Sequence, residues 1–504
     1  MVHAEPGGKR PWSWMVALAV LGAAGCGSSG PVEPNDGGVA DAPPDAPPPD
    51  GSVAGPDSIL AGEILGRPTA SSVTVSVVPA VALQMYVEFG VSPGMYDRTT
   101  PVADVPAITP FTVVLDQLAP GKGHVYRVRY RRPGDADFAA GEERHFFTQR
   151  APGDAFRFTV QADSHLDENS DLDMYRRALG NMAADAPDFH VDLGDTFMCE
   201  KYPGALTAVV APCQGEAGVD ARYLYERANF GLVAHSSPLF LVNGNHDGEL
   251  GYLLTGTGMD IPTWATLARK KFYLNPTPDG FYSGDSFSEP IVGERASWYS
   301  FTWGDALFVM LDPFFYTTKK PKNDGWAWTL GDKQYAFLQS TLAASKATFK
   351  FVFLHNLVGG LDGQMRGGVE AAPFFEWGGD NEDGTPGFAT HRPGFAKPIH
   401  ALLVEHGVTA VFHGHDHLYA RQSLDGILYQ EVPQPSAKNI SSGPNLAKTY
   451  HYDSGTISSS AGHLRVTVEK SKVTTEYVRA YLPAQETGGH KNGQIDDTFT
   501  IPAP

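Results

Sequence analysis

The spacing of hydrophobic residues follows two different rules along this 504-residue chain. Between residues 58 and 150, apolar and polar positions alternate in short runs such as Val73–Val77, Gln84–Phe89 and Val125–Tyr130, and turn sequences such as Ser92-Pro93-Gly94 separate them. A period of two residues is typical of strands that bury one face. The pattern therefore predicts a small antiparallel β-sandwich of about 90 residues at 58–150.

From residue 151 to residue 504, short apolar runs alternate with helical patterns. A helix with Tyr175, Leu179 and Met182 on one face is predicted after the first run, with Ser170 as its N-terminal cap. We predict strands at the apolar runs 156–161, 188–193, 238–242, 306–311, 349–354 and 408–412. Strands that alternate with helices indicate an α/β sheet, in which ligands collect outside the carboxyl ends of the strands.

The first 57 residues have a different composition. An apolar run from Trp12 to Ala24 is too short to span a bilayer and has the length of a signal-peptide core. The segment Leu21–Cys26 resembles a bacterial lipobox, so residues 1–26 are interpreted as a lipoprotein signal peptide with lipidation at Cys26; ordinary secretion is the alternative. Gly27, rather than Asp, follows the cysteine, and in this position the sequence resembles lipoproteins of the outer membrane. Residues 27–57, rich in Pro, Gly and Asp, predict a disordered tether.

Charge and cysteine content restrict the partners and the compartment. Against 57 acidic residues stand 38 Lys and Arg, which gives a net charge of −19 and argues against nucleic acid and anionic membrane surfaces as main partners. In an exported protein, Cys199 and Cys213 are predicted to form a disulfide. Two free thiols, or Cys199 as a metal ligand, are the alternatives.

Side chains with oxygen and nitrogen donors follow five of the predicted strands. They are Asp163 and His165, then Asp195, then Asn245, His246 and Asp247, then His355, and finally His415 and His417. Each motif alone is a weak signal, but five in succession at strand ends predict a site for two metal ions. Imidazole with carboxylate suits Zn, Fe, Mn or Ni, and the absence of thiolates disfavours softer metals.

This series resembles the motifs D-x-H, G-D, G-N-H-D/E, H and G-H-x-H of the calcineurin-like metallophosphoesterase superfamily, over about residues 155–480. The resemblance implies a four-layer αββα sandwich for residues 151–504. It also implies hydrolysis of a phosphoric ester by a metal-bound hydroxide, without a covalent intermediate.

The resemblance also implies a role for each residue. It assigns Asp163, His165 and His417 to one metal ion, Asn245, His355 and His415 to the other, and Asp195 to both. His246 would stabilise the phosphoryl group or protonate the leaving oxygen, and Asp247 would orient the site from behind the ligands. The ions themselves are expected to be Fe, Zn or Mn.

The N-terminal region carries a second resemblance. The run Leu118–Gly121 leading into Tyr126 is similar to fibronectin type III domains, especially the one ahead of the catalytic domain of purple acid phosphatases. Two positions depart from that group: Met198 stands where its tyrosine ligand would fall, and His165 stands where its first motif usually has Gly. We therefore expect no tyrosinate–iron colour.

Taken together, the sequence predicts an exported phosphoesterase, placed in the outer membrane or on the periplasmic or extracellular face by its lipid anchor. The substrate is predicted to be a small phosphoester, a monoester or a nucleotide. A phosphodiesterase acting on cyclic nucleotides, phospholipids or nucleic acid is an alternative on the same site. A non-catalytic cell-surface binding protein is the alternative from another class.

Several other residues are candidates for lesser roles. Arg295 and Arg366 are candidates for binding phosphate. Trp326 and Trp377 are interpreted as core residues, with the stacking of one of them on an aromatic or nucleoside leaving group as a hypothesis. His190, His235 and His413 are interpreted as structural or exposed.

Overall fold

A computed structural model describes residues 54–165, 167, 170–199, 215–322, 324–359 and 366–504. The predicted signal peptide with Cys26, the predicted tether as far as residue 53, and Cys213 lie outside the described residues. Lipidation and the disulfide of Cys199 with Cys213 therefore stay predictions. None of the described helices combines the length and the apolarity that a bilayer span requires.

The N-terminal strands form two facing sheets. They are β1 Ile59–Gly66, β2 Val73–Pro79, β3 Leu83–Gly90, β4 Arg98–Thr99, β5 Ala103–Val105, β6 Phe111–Leu115, β7 Gly123–Arg131, β8 Ala139–Ala140 and β9 Arg144–Phe147. One sheet has the order β1-β2-β6, and the other has the order β4-β3-β7-β8, with β5 on β3 and β9 on β7. All of these pairings are antiparallel. Residues of both sheets, among them Val75, Val87 and Tyr126, fill one core, which confirms the predicted β-sandwich.

Strands and helices alternate in the rest of the chain. In chain order they are β10 Phe156–Gln161, α1 Leu172–Ala184, β11 Phe189–Asp192, α2 Gly215–Ala234, β12 Leu239–Leu241, α3 Ile261–Phe272, β13 Ser283–Gly284, β14 Ser288–Glu289, β15 Gly293–Glu294, β16 Tyr299–Trp303, β17 Ala306–Met310, α4 Gly331–Ala344, β18 Phe349–Phe353, α5 Phe375–Gly378, α6 Phe388–His391, α7 Ile399–Glu405, β19 Ala410–His413, β20 Leu418–Leu424, β21 Ile427–Glu431, α8 Gly443–Tyr450, β22 Thr456–Ser459, β23 Gly462–Glu469, β24 Lys472–Arg479 and β25 Ile495–Pro502.

Two large sheets form the centre of this region. The first has the order β12-β11-β10-β23-β24-β25, and the second has the order β13-β16-β17-β18-β19-β21-β20-β22. Strands β10, β11 and β12 are parallel to one another, as are β17, β18, β19 and β21. The carboxyl ends of neighbouring parallel strands therefore lie along one edge of each sheet.

The alternation of side chains along the strands separates the layers. Phe308 on β17 faces the first sheet, where its ring lies 5.2 Å from that of Phe158 on β10. The next residue, Val309, points to the opposite face and packs with Leu338 of α4 and Leu402 of α7. Helices α1 and α2 pack against each other and contact strands of the first sheet. This arrangement of helix, sheet, sheet and helix confirms the predicted four-layer sandwich.

Helix α1 begins one residue later than predicted. Asp171, not Ser170, caps it: the Asp171 carboxylate accepts hydrogen bonds from the backbone N–H groups of residues 173 and 174, at 2.9 and 3.0 Å. The Ser170 hydroxyl instead donates to the carbonyl oxygen of Ser164, at 3.2 Å. The predicted apolar face is confirmed, since Tyr175, Leu179 and Met182 are buried.

The described residues from Ala54 to Pro504 form one compact unit. The Tyr126 hydroxyl of the sandwich donates to the carbonyl oxygen of His235 after α2, at 2.7 Å. Ala61 and Ile64 on β1 lie in one apolar cluster with residues of α2 and α3. The domain boundary between residues 150 and 151 stays a prediction.

Candidate metal centre

The sequence-predicted ligands follow the carboxyl ends of parallel strands in both sheets. Asp163 and His165 follow β10, Asp195 follows β11, Asn245 follows β12, His355 follows β18, and His415 and His417 follow β19. Because the two large sheets pack face to face, these strand ends meet at one end of the four-layer α/β region.

The ligand atoms form two groups. The side chains of Asp163, His165 and His417 offer atoms that all lie within 4.8 Å of one another, and so do those of Asp195, His355 and His415. In the first group, His417 Nε2 lies 3.4 Å from Asp163 Oδ1 and 3.1 Å from His165 Nε2. In the second, His355 Nε2 lies 3.1 Å from Asp195 Oδ2.

Asp195 lies between the two groups. Its Oδ2 atom is 3.1 Å from His355 of its own group and 3.5 Å from His165 Nε2 of the other group. Its Oδ1 atom accepts a hydrogen bond from the His246 backbone N–H, at 2.7 Å. A carboxylate that reaches both groups from a buried position has the placement that a bridging ligand requires.

Several atoms of the site that could bind a metal ion form no hydrogen bond. Within the described part of the chain, these buried atoms have no hydrogen-bond partner: Asp163 Oδ1, Asp195 Oδ2, Asn245 Oδ1, His355 Nε2, and both ring nitrogens of His415. A buried polar group without a partner costs about 1–3 kcal/mol, so several at one place are unfavourable unless something binds them. Oxygen and imidazole nitrogen atoms that converge in this way fit two divalent metal ions.

Hydrogen bonds behind the ligands orient two of the imidazole rings. His355 Nδ1 donates to the carbonyl oxygen of Leu193, at 3.0 Å, which leaves Nε2 directed towards Asp195. His165 Nδ1 lies 3.3 Å from Oδ2 of Asp167, which leaves its Nε2 for the first group. Such partners fix the tautomer that a metal ligand needs.

Electrostatics favours the ligand form of two side chains. Burial, with the nearby Arg366 guanidinium, holds the pKa of His415 well below its ordinary value, so this imidazole is neutral. Burial alone would raise the pKa of Asp163, but the surrounding imidazoles, His355 first, hold it well below the ordinary value. A neutral imidazole and an ionised carboxylate are the forms that bind metal.

The backbone at the site is strained. Among the seven predicted ligands, five have a left-handed conformation: Asp163 (φ 61°), His165 (φ 53°), Asp195 (φ 56°), His415 (φ 84°) and His417 (φ 59°). Residues other than glycine adopt this region rarely, at a cost on the order of 1–3 kcal/mol each. Strain concentrated on these residues is typical of a site that the rest of the fold holds in place.

Close packing explains the glycine of two motifs. A Cβ atom on Gly244 would lie 2.2 Å from the backbone nitrogen of Asp195, and one on Gly414 would lie 2.6 Å from Oδ2 of Asp163. Any side chain at either position would displace a predicted ligand. The glycines before Asn245 and His415 are therefore required by the approach of two loops.

Asp247 holds two site loops together. Its carboxylate accepts four backbone N–H groups, from Gly244 at 2.6 Å, Asp195 at 3.0 Å, and Thr196 and Phe197 at 2.8 Å each. Burial, with the nearby charge of Asp195, raises its pKa to about 6. The carboxylate thus lies behind the predicted ligands, and its orienting role stays a prediction.

His246 lies at the open side of the site. Its side chain is 18 % exposed and its Nε2 atom lies 3.9 Å from Asp195 Oδ2, while the predicted ligand His417 is 30 % exposed. The other predicted ligands are buried. The site therefore opens to solvent beside His246 and His417.

The structure does not support the two candidate phosphate-binding arginines. Arg295 is fully buried, and its Nη2 donates to Glu249 at 2.6 Å and to Asp312 at 3.1 Å. Arg366 forms an ion pair with Asp416. Sequence spacing could not show these pairs, because the partners lie between 17 and 50 residues away.

The aromatic candidates are packed inside the protein. Trp377 is buried and its indole N–H donates to the Tyr429 hydroxyl, so the prediction that it stacks on a nucleoside is wrong. Trp326 is only 7 % exposed and stacks on His391, with ring centroids 4.4 Å apart, which gives that idea no support.

Two of the histidines interpreted as structural or exposed are inside the protein as well, while His235 is half-buried. His190 is buried beside the Thr159 hydroxyl, at 2.9 Å, and His413 is buried 2.7 Å from Glu431. Met198, at the position of the tyrosine ligand of purple acid phosphatases, is buried in an apolar cluster. Asp167 was missed, although a carboxylate two residues after a predicted ligand is a usable signal.

The family assignment rests on a match over more than half of the sequence. The profile of the family described as calcineurin-like phosphoesterase matches residues 156–419. The chain belongs to this family, as its motifs implied. The span contains all seven predicted ligands together with His246 and Asp247. Metallophosphoesterases of this kind use divalent metal ions, which agrees with the two groups of donor atoms.

Solved structures show the same fold at low sequence identity. The structure of PhoD is 15 % identical, covers 88 % of this chain and 90 % of its own, and has a TM-score of 0.62. The purple acid phosphatase PPD1 from seeds of yellow lupin (Lupinus luteus) is 16 % identical, covers 88 % of this chain and 74 % of its own, and has a TM-score of 0.56. Both alignments are longer than residues 151–504 alone, so they include part of the sandwich. No curated protein matches the sequence.

Proposed function

We propose that this protein hydrolyses small phosphoric esters, phosphomonoesters or nucleotide-type esters, at a site for two metal ions. The observation that carries the proposal is the convergence of buried donor atoms without hydrogen bonds, from both sheets, on two adjacent positions. A phosphoesterase that uses two metal ions needs this arrangement, whereas a non-catalytic binding protein would gain nothing from such strained and unpaired groups.

The proposal gives each residue a task. Asp163, His165 and His417 would hold one ion, Asn245, His355 and His415 the other, and Asp195 both. When bound, a pair of ions neutralises phosphate oxygens and lowers the pKa of water to near neutrality. His246 at the open side would bind a phosphoryl oxygen or give a proton to the leaving oxygen. Asp247 would keep the Asp195 and Asn245 loops together.

Turnover of an aryl phosphate monoester and of the matching diester, by the full chain with Mn²⁺, tests this function. Activity should fall more than about 100-fold in Asp195→Asn, since loss even of residues behind the ligands typically costs 10–100-fold. Asp116→Asn is the matched control, because this carboxylate is 65 % exposed on the sandwich. Equal rates in wild type and Asp195→Asn would refute the proposal.

The ratio of monoester to diester turnover decides the substrate class. A preference for the monoester supports the proposed class, and a preference for the diester would replace it with a phosphodiesterase on the same ligands. Absence of both metal binding and turnover in wild type would favour a binding protein.

We also propose that the protein is exported and anchored through a lipid on Cys26. The support is the sequence from Trp12 to Cys26 alone. In a bacterial host, wild type should sediment with membranes and Cys26→Ser should not. Equal distribution of the two forms would favour ordinary secretion.

A further inference from the structure

The residue between His415 and His417 occupies a special position. Asp416 is buried, and the two histidines beside it belong to different groups of donor atoms. Any movement of Asp416 would therefore disturb both groups at once. Among the residues that the structure describes, no other one lies between two sequence neighbours that belong to different groups.

The carboxylate of Asp416 is used entirely for contacts behind the site. Arg366 Nε donates to Asp416 Oδ1 at 2.7 Å, and the Tyr452 hydroxyl donates to Oδ2 at 2.8 Å. The backbone N–H of Asp416 donates to Glu431 Oε1 at 2.9 Å. Arg366 Nη2 also donates to the carbonyl oxygen of His415, at 3.0 Å. The guanidinium thus contacts both the backbone and the side chain of this turn.

Arg366 reaches the turn from a separately anchored segment. Residues 366–370 follow β18, not β19, and bind β20, the strand that begins directly after His417. The Val369 N–H donates to Gln422 Oε1 at 3.1 Å, and Gln422 Nε2 donates to the Glu370 carboxylate at 2.7 and 2.9 Å. The Ser454 hydroxyl also donates to Glu370, at 2.7 Å. The segment is therefore fixed by contacts that do not involve the ligands.

The turn needs such support. His415 and His417 both have left-handed backbone conformations, with φ of 84° and 59°. A turn of this kind persists only where the surroundings hold it. Arg366 supplies this support at the midpoint of the turn, because it forms an ion pair with the Asp416 carboxylate and a hydrogen bond with the His415 carbonyl oxygen.

We propose that Arg366 and Asp416 are positioning residues that hold His415 and His417 for both metal positions, so that one ion pair sets the affinity for two ions. The inference rests on the proposed two-metal function. It also gives Arg366 a role behind the ligands, instead of the contact with substrate that the sequence suggested.

Titration of the metal-free full chain with Mn²⁺, followed by calorimetry and by the Mn²⁺ electron paramagnetic resonance signal, tests the proposal. Arg366→Gln and Asp416→Asn should each weaken binding of both ions by about 10–100-fold. Arg366→Lys keeps the charge but loses the planar fork of the guanidinium. Its affinity for Mn²⁺ should therefore lie between those of Arg366→Gln and wild type. Arg465→Gln is the matched control, since this arginine donates to Asp185 and Glu476 away from the predicted ligands, and it should bind Mn²⁺ within about 3-fold of wild type.

Kinetic measurements at saturating Mn²⁺ distinguish a positioning role from a role in binding substrate. The variants should recover most of the wild-type kcat at saturating Mn²⁺, with KM for the ester little changed. Affinities of Arg366→Gln and Asp416→Asn within about 3-fold of wild type would overturn the inference. A raised KM without recovery by Mn²⁺ would do the same and would indicate that Arg366 binds substrate. Absence of Mn²⁺ binding in wild type would instead refute the proposed function.

Discussion

At the scale of single residues, Asp285 shows the cost of an incompletely satisfied buried carboxyl group. It is 1 % exposed, and its Oδ1 accepts one backbone N–H, from Phe287 at 3.3 Å. Its Oδ2 has no hydrogen-bond partner among the residues that the structure describes. Burial raises the pKa of Asp285 from 3.8 to about 6, although the charge of Arg295 opposes the shift.

This raised pKa makes stability depend on pH. Between pH 3.8 and about 6 the folded protein binds more protons at Asp285 than the unfolded chain does, so this group's contribution to stability falls as the pH rises. Asp285→Asn should therefore increase the free energy of unfolding of the metal-free protein by about 1–3 kcal/mol at pH 8. At pH 4 the change should be close to zero. Urea denaturation at both pH values measures it, and an equal gain at both would contradict the argument.

Asp247 gives a second test at this scale. Its carboxylate binds four backbone N–H groups from the two loops that carry Asp195 and Asn245. In Asp247→Asn, one oxygen becomes an NH₂ group that faces N–H donors. The free energy of unfolding should fall by about 3 kcal/mol, since two buried N–H groups lose their acceptor and each such group costs about 1–3 kcal/mol.

Asp279→Asn is the control for that measurement. Its carboxylate also accepts two backbone N–H groups, from Phe281 and Tyr282, in a loop away from the predicted ligands. Asp279 is exposed and both N–H groups bind its Oδ1, which the amide oxygen of Asn can replace, so the loss there should be below about 1 kcal/mol, and Mn²⁺ binding should not change. Equal losses in the two variants would show that the Asp247 contacts are ordinary turn contacts.

At this scale, the sequence could predict those site residues whose place follows from their neighbours along the chain. Asp163, Asp195 and His355 were predictable because each follows an apolar strand, and the fold brings such positions together. The environment of Arg295 was not predictable, because its partner Glu249 is 46 residues away in sequence. Pairing between distant side chains is a property of the packed fold and leaves no signal in spacing.

At the scale of elements, the start of α1 is set by one side chain. Asp171 accepts hydrogen bonds from two backbone N–H groups of the first turn. Asp171→Ala should lower the free energy of unfolding by about 1 kcal/mol. Asp173 lies two residues further along, in the first turn of the helix. Asp173→Ala removes a charge near the same helix end without removing the cap, and it should cost about half of that free energy. Thermal unfolding measures both, and a larger loss for Asp173→Ala would show that charge, not capping, sets this helix start.

Strands were easier to predict than helices for a physical reason. The strands at 156–161 and 349–354 carry Phe or Val at every second position, because one face of each strand packs in the core between the two sheets. Helix α2 was not predicted, since Arg222, Glu226 and Arg227 lie on its buried side and break the apolar period. A helix that is covered on several sides and satisfies charges inside the fold shows no amphipathic pattern.

At the scale of the whole molecule, one apolar cluster crosses the predicted boundary between the sandwich and the α/β region. It contains Ile64 of β1, Phe230 of α2, and Phe197, two residues after Asp195. Tyr223 of α2 stacks on Phe197, with ring centroids 3.7 Å apart, and its hydroxyl donates to the carbonyl oxygen of Asp247 at 3.0 Å. The sandwich thus packs on the helix that supports two loops of the metal centre.

This continuity predicts that the two regions unfold together. Ile64 is 1 % exposed, so Ile64→Ala should cost about 2–4 kcal/mol. All tryptophans lie either before residue 15 or after residue 263, so tryptophan fluorescence follows the α/β region and not the sandwich. The fluorescence transition should nevertheless shift to lower denaturant in Ile64→Ala, and it should coincide with the transition measured by far-ultraviolet circular dichroism. Val114→Ala, at a side chain 54 % exposed on the same sandwich, should leave it within about 0.5 kcal/mol of wild type. A fluorescence transition that stays in place in Ile64→Ala would mean that the sandwich unfolds independently and contributes nothing to the support of the metal centre.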